Sequence, residues 1–349
     1  MQYARLGRSG LEVSRVCLGM MSYGSPSWQP WVLPGSEGTA FVRQALDLGV
    51  NFFDTADFYS HGESEIALGE AIAKLTTRDK VVIATKVGLP MEPGPNRGGL
   101  SRKHIHSSIE ASLRRLKTDY VDLYQLHKAD PGTPIEETLG VLGDLVRVGK
   151  VLHVGLSNFA TWQLASAYFI GKFEAGVRIS SAQIQYNLAF REEERDMLPF
   201  CAEHGLGIIV YSPLARGWLT GNRLEQTSLT AREAARAQGD AKAHALYGTD
   251  ADRRVLDCLR QVAKERGAPM GRVALAWLHS RDGVSSILCG ALEPSHLEEA
   301  VAAAEFKLSK AESERLESCY VPQPVKDDGL KVVINQDKRT EEEKRRASA

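Results

Sequence analysis

Short apolar runs recur along the chain at regular intervals, separated by segments with apolar residues at helical spacing. Eight runs read as strands: Val16–Gly19, Val50–Phe53, Val81–Thr85, Val121–Leu126, Val151–Leu156, Ser181–Gln185, Gly207–Tyr211 and Ser285–Cys289. Most are continuous stretches of Val, Ile and Leu, as strands buried on both faces should be. The segments between them read as amphipathic helices. Thr39–Leu48 stops before Gly49, and Glu63–Lys74 gathers Ile66, Leu68 and Ile72 on one side. Ser101–Leu116 has an N-cap serine and Ile105, Ile109 and Leu113 spaced four apart. Pro134–Val148 opens on proline, which suits a first turn, and stops before Gly149. Met197–His204 also stops before a glycine.

Eight strands alternating with helices predict parallel pairing with right-handed crossovers, and the number eight favours a closed (β/α)8 TIM barrel, an α/β fold. No GxGxxG follows the first strand, so the open dinucleotide-binding sheet is not expected. Residues 2–15, with Ser9-Gly10 in the middle, read as a β-hairpin capping the bottom of the barrel. Two regions fall outside the repeat. Residues 214–252 form a long polar connection after the seventh strand, with Thr230–Ala243 as a helical stretch. Such a loop lies at the catalytic face of a barrel. From residue 321 the chain carries Lys326-Asp327-Asp328 and the charged run Lys338–Arg346, a solvated tail. The expected division is one barrel domain over 1–320 and a tail over 321–349.

Composition narrows the class. The chain has 349 residues, 43% hydrophobic and 25% charged, which is ordinary for a globular protein. A net charge of −1 argues against nucleic acid as a partner. No apolar run reaches the ~18 residues of a spanning helix, so no membrane partner is expected. Met1–Arg5 shows no secretion core. The five cysteines, 17, 201, 258, 289 and 319, are dispersed without a CxxC pair, so neither a disulfide framework nor a metal site is expected. Cys17 and Cys289 fall in strands and read as core thiols. The expected setting is a reduced, cytoplasmic one.

Polar residues at strand ends carry the chemistry. Asp54 follows the second strand, Lys86 the third, His127 the fourth, and Ser157-Asn158 the fifth; Gln183 lies in the sixth and Tyr211 ends the seventh. Tyr59 lies in the loop after Asp54. A phenol is a poor acid at neutral pH, and a nearby ammonium favours its phenolate. With a carboxylate to hold the lysine and an imidazole on the substrate oxygen, Tyr59, Lys86, Asp54 and His127 would make a tuned proton donor for a carbonyl. Trp28, Trp31, Phe58 and Trp218 fall in loops on the same face and would wall a substrate pocket suited to an aryl, cyclic or sugar-like carbonyl. His104 and His106 read as solvated side chains on a polar helix face.

The order and spacing of several motifs resemble the aldo-keto reductases over residues 2–320. These are Asp54-Thr55-Ala56-Asp57-Phe58-Tyr59 with Gly62-Glu63-Ser64-Glu65, Thr85-Lys86, the run from Ser108 to His127, Gly155-Leu156-Ser157-Asn158-Phe159, Gln183–Asn187 and Tyr211-Ser212-Pro213-Leu214. The resemblance implies NAD(P)H-dependent reduction of an aldehyde or ketone, reversible, with hydride from nicotinamide C4. Tyr59 would donate the proton, Lys86 would lower its pKa, Asp54 would position Lys86, and His127 would orient the carbonyl. Ser157, Asn158 and Gln183 would hold the carboxamide, Tyr211 would stack on the nicotinamide, and Ser212, Leu214 and Gly217 would border the pyrophosphate. Gly19 and Met20 after the first strand, and Gly290, Ala291, His296 and Glu299 after the eighth, match further cofactor positions.

One end departs from the family pattern. Residues 290–300 read Gly-Ala-Leu-Glu-Pro-Ser-His-Leu-Glu-Glu-Ala, with no basic group at 292 or 293. A 2′-phosphate wants a cation. The family cofactor is NADP(H), supplied here with charge by Arg216 or Arg223 of the long loop; alternatively Glu293 bonds a ribose hydroxyl and NAD(H) is accepted. The same scaffold resembles potassium-channel β subunits, so a cofactor-sensing interaction protein is the alternative to an enzyme, and a cofactor-free barrel isomerase is a second one. Monomer and homo-oligomer are both compatible with the sequence.

Overall fold

A computed structural model describes residues 1–225 and 229–325. Eight parallel strands close into a barrel in sequence order: Val16–Gly19, Phe52–Asp54, Val82–Val87, Val121–Leu126, Val151–Ser157, Ile179–Gln185, Gly207–Tyr211 and Val284–Cys289. The fold is the (β/α)8 barrel that the alternation of runs implies. Each expected strand is present; Val16–Gly19, Val121–Leu126 and Gly207–Tyr211 keep their expected ends, and the other five shift by at most two residues. The shifts put Asp54, Lys86 and Ser157 inside strands rather than beyond them, because their backbones still pair with the neighbouring strand.

The hairpin is present: Tyr3–Arg5 pairs antiparallel with Glu12–Ser14. It drives Leu6 and Val13 into the barrel's lower end, where they pack with Cys17, Phe52, Val82, Ala84, Leu123 and Ile209 in a closed apolar plug. Gly7 is required there. Its φ is +59°, and a Cβ would lie 2.4 Å from the Gly205 carbonyl oxygen. The larger core lies between the barrel and its outer helices, which include Gly35–Asp47, Glu63–Leu75, Arg102–Leu116, Ile135–Arg147 and Met197–His204. Ser101 caps the third of these by accepting the His104 N–H. Pro134 stands one residue earlier than expected, as the N-cap of Ile135–Arg147.

Three local readings change. His104 is buried, not solvated, because the helix turns it under residues 96–97 and toward the Ser108 hydroxyl, 3.3 Å from its Nε2. Thr230–Ala243 is not one helix. Asp240 ends Ala231–Gly239 and its carboxylate caps Ala241–Leu246 by accepting the Ala243 N–H. Cys17 is a core thiol, but Cys289 is only half-buried and reaches a cavity at the barrel mouth. Val321–Val325 runs along the barrel, with Gln323 bonded to Glu192, Ala189 O and Asp252. Lys326-Asp327-Asp328 and Lys338–Arg346 lie outside the described residues. Among the described residues no helix is long and apolar enough to cross a membrane.

Candidate active site

Strand periodicity builds the site. Side chains two apart share a face, so four apolar members of the plug are followed one layer higher by a polar residue. Phe52 is followed by Asp54, Ala84 by Lys86, Leu123 by Gln125 and Ile209 by Tyr211. The upper layer is therefore polar and enclosed. The Lys86 ammonium is fully buried and uses all three donors: Asp54 Oδ2 at 2.5 Å, the Thr55 carbonyl at 2.8 Å and Tyr59 Oη at 3.2 Å. Asp54 Oδ1 accepts the side-chain amides of Gln125 and Gln183, each at 2.9 Å. Gln125 is a site residue that strand-end reasoning missed. Its signal is a polar side chain inside an apolar strand, two residues from the inward-facing Leu123.

Tyr59 is held from the other side by its own loop. Ser60, His61 and Gly62 all adopt left-handed conformations, with φ of 49°, 52° and 97°. Gly62 has no alternative, since a Cβ would sit 2.7 Å from Arg115 Cδ. Arg115 in turn donates to the buried Glu65, which also accepts the Thr85 hydroxyl at 2.5 Å. The His127 ring meets Tyr59 edge-on, with centroids 5.7 Å apart.

Electrostatics sort the protons. Burial pushes the Lys86 ammonium toward neutrality, but Asp54 and Tyr59 outweigh it and hold its pKa above the ordinary value. Burial raises the Tyr59 pKa, and the pull of Lys86 does not fully offset it. The phenol is thus a protonated donor, not the net-lowered acid expected from Lys86 alone. Burial, Lys86 and Lys242 push His127 well below its usual range, so the ring is neutral. Its Nδ1 is buried without a partner among the described residues.

These groups open onto one cavity of about 690 Å³. Asp54, Tyr59 and His127 lie at its inner end, with Trp28, Trp31 and Phe58 on one wall. Trp28 meets Phe58 edge-on at 5.8 Å and lies 6.2 Å from the Tyr59 ring. Gly19, Asn158, Gln183, Tyr211, Ser212, Leu214 and Gly217 continue the lining, and Gly290, His296 and Glu299 lie at the far end. Met20, Ser157 and Ala291 are buried behind that lining. Trp218 corrects the expected substrate wall. It is folded inward under Gly248 with its indole N–H on the Asp252 carbonyl, because the turn Ala215–Thr220 reverses the chain through left-handed Arg216 and Gly217.

The long connection supplies charge where residues 292 and 293 do not. Arg216, Arg223 and Arg236 converge on the single buried carboxylate of Asp240, at 2.8, 4.0 and 3.6 Å. All four line the cavity. Three guanidinium groups around one carboxylate leave an excess of positive charge, and crowding with burial brings Arg236 down to about 10. Arg232, one turn before Arg236, donates to the Leu292 carbonyl at 3.3 Å and pairs with Glu37. His296 is committed: its Nδ1 accepts the Leu292 N–H and its Nε2 meets Glu233 at 3.0 Å. A cavity with largely apolar walls, lined also by a cluster of excess cations and by the tyrosine of a buried lysine–tyrosine pair, fits a nicotinamide dinucleotide.

The comparisons agree with that geometry. The model of the Aldo/keto reductase family matches residues 15–321. The chain is 38% identical to the aldo-keto reductase dtxS3 of Metarhizium robertsii, aligning 93% of this chain with 92% of that one. It is 37% identical to the versiconal hemiacetal acetate reductase of Aspergillus parasiticus, over 93% and 98% of the two chains. It is also 37% identical to an uncharacterized oxidoreductase, YrpG, of Bacillus subtilis, over 89% and 93%. The chain belongs to the aldo/keto reductase family. It is an oxidoreductase of the class that acts on small carbonyl compounds with a nicotinamide cofactor.

Proposed function

We propose that the protein reduces an aryl or cyclic aldehyde or ketone to its alcohol with NADP(H), and catalyses the reverse oxidation when the alcohol and oxidised cofactor are in excess. The observation that carries this reading is the buried chain Asp54–Lys86–Tyr59 opening, beside neutral His127, onto the cavity that also holds the arginine cluster. The cofactor, when bound, supplies the hydride from nicotinamide C4. Tyr59 Oη gives its proton to the carbonyl oxygen. Lys86, its three donors committed, holds positive charge 3.2 Å from Oη as the phenolate forms. Asp54, gripped by Gln125 and Gln183, fixes Lys86 in place. Neutral His127 offers a hydrogen bond to the same carbonyl oxygen without bringing a second positive charge. Trp28 and Phe58 favour a flat, apolar substrate body.

For the cofactor, Asn158, Tyr211, Ser212 and Gly217 line the cavity and would make the contacts that the family resemblance implies, with Tyr211 steadied by its 2.6 Å bond to Asn158. The preference for NADP(H) rests on Arg216, Arg223 and Arg236, with Arg232 brought to the Leu292 carbonyl from the long connection. The test is a panel of aryl, alicyclic, aliphatic and sugar carbonyls assayed with both NADPH and NADH. Turnover of aryl aldehydes with an NADPH preference is expected. Activity confined to small polar carbonyls would overturn the substrate reading, and a preference for NADH would overturn the cofactor reading.

A further inference from the structure

The outer helix Thr161–Ile170, which follows the fifth barrel strand, differs from the other barrel helices. It has no charged residue along its length. Leu164 and Ala167 bury its inner face, yet the outer face is apolar as well: Trp162 is 61% exposed and Phe169 42%, and Phe173 in the continuing turn is 71% exposed. By contrast, Arg102–Leu116 shows solvent Arg102, Lys103, His106 and Arg114. A helix apolar on both faces is one that is covered on both faces.

Several polar groups on this helix are bonded within the protein. The Ser166 hydroxyl donates to the Trp162 carbonyl at 2.9 Å, the Gln163 side chain accepts the Ala160 N–H, and the Thr161 hydroxyl bonds Asp196. The bulk along this helix is also symmetric. Trp162 and Phe169 flank the small pair Ala165 and Ser166 at equal sequence distance. Phe169 and Phe173 lie with parallel rings, and Phe200 of Met197–His204 broadens the shelf. The rim carries Lys172 and Glu174, of opposite sign.

We infer that this face is the interface of a two-fold homodimer, in which the helix Thr161–Ile170 crosses its copy in antiparallel fashion at Ala165–Ser166. The small pair lets the two backbones approach, and Trp162 then packs against Phe169 of the partner subunit. An isologous contact needs a self-complementary patch, and a large-small-small-large order about a centre is one. Aromatic side chains of ~150–250 Å² each, partly exposed, supply roughly half of the ~600 Å² per subunit that a small stable interface buries. Ala165, Ser166, Ile170 and Phe200 lie beside them to supply the remainder. The active-site cavity opens at the barrel mouth and stays clear of the outer face of this helix.

Sedimentation velocity on the full chain from about 1 to 100 µM tests the inference, alongside the Trp162→Glu/Phe169→Glu and Ser166→Cys variants. Dimer is expected for the native chain, with self-association weakened ~30-fold or more by the double substitution. Far-UV circular dichroism and aldehyde turnover should stay unchanged in that variant. Ser166→Cys, lying at the two-fold axis, should give a disulfide-linked dimer under mild oxidation, which the native chain does not. A native monomer at 100 µM overturns the inference. So does a dimer that persists in the double variant, or one that Ser166→Cys fails to cross-link.

Discussion

Lys86 Nζ lies 2.5 Å from Asp54 Oδ2, and both side chains are shut off from solvent. Each makes the other tolerable: an unpaired charge at that depth would cost several kcal/mol. Truncating one partner strands the other. Lys86→Met should therefore destabilise the protein by ~3–5 kcal/mol, whereas Lys86→Met/Asp54→Leu should recover much of that loss. Urea unfolding of the three proteins checks this; a double variant no more stable than the single would show that the pair is not the source.

Tyr59→Phe removes the proton donor and leaves the ring's packing against Trp28 and His127. Turnover should fall ~100-fold or more. Cofactor binding, followed by nicotinamide fluorescence, should be retained. Near-native turnover in this variant would remove Tyr59 from the proposed role.

Arg232 donates to the Leu292 carbonyl, beside the two positions that lack a cation. Arg232→Ala should raise the NADPH dissociation constant ~10–100-fold, the range for losing a charged hydrogen bond. NADH affinity should change little, and titration of both cofactors separates the two cases.

His279 is mostly buried beside Arg15, with Lys307 adding positive charge, and its pKa falls to about 3. An unfolded histidine titrates near ~6.5. The unfolded chain thus binds the extra proton between these values, so stability is complete above about pH 6.5 and declines as pH falls toward 3. The slope from this residue is at most about 1.4 kcal/mol per pH unit. Neutral, buried His127 acts in the same direction. His279→Gln should flatten the dependence, as measured by urea unfolding at pH 7 and pH 5.

Trp28 packs edge-on against Phe58 and beside the Tyr59 ring on one wall of the cavity. Trp28→Ala should raise KM for an aryl aldehyde ~3–10-fold, matching the loss of an aromatic pair, with little change for a short aliphatic aldehyde. Equal effects on both substrates would place the tryptophan in loop packing instead.

Several elements were readable because they are local. Period-2 and period-3.6 patterns mark strands and helices, and the glycines at 49, 149 and 205 mark where helices must stop. Asp54, Lys86, His127 and Tyr59 were visible because a barrel directs residues near strand ends to one mouth. Gln125 was hidden by its apolar neighbours, although the same two-residue period places it beside Asp54. His104 looked solvated because the helix sequence cannot show that residues 96–97 fold over it.

The sequence by itself determined the eight-fold alternation, the capping hairpin and the chemistry of the mouth, since these follow from periodicity and residue type. Tertiary structure decided the direction of each proton equilibrium, because burial depends on every neighbour. It put Tyr59 above its usual pKa despite Lys86, and turned Trp218 away from the cavity. It also drew Arg216, Arg223 and Arg236 around Asp240. That cluster could not be read from the sequence, because groups far apart in the chain meet only when the long connection folds across the barrel mouth.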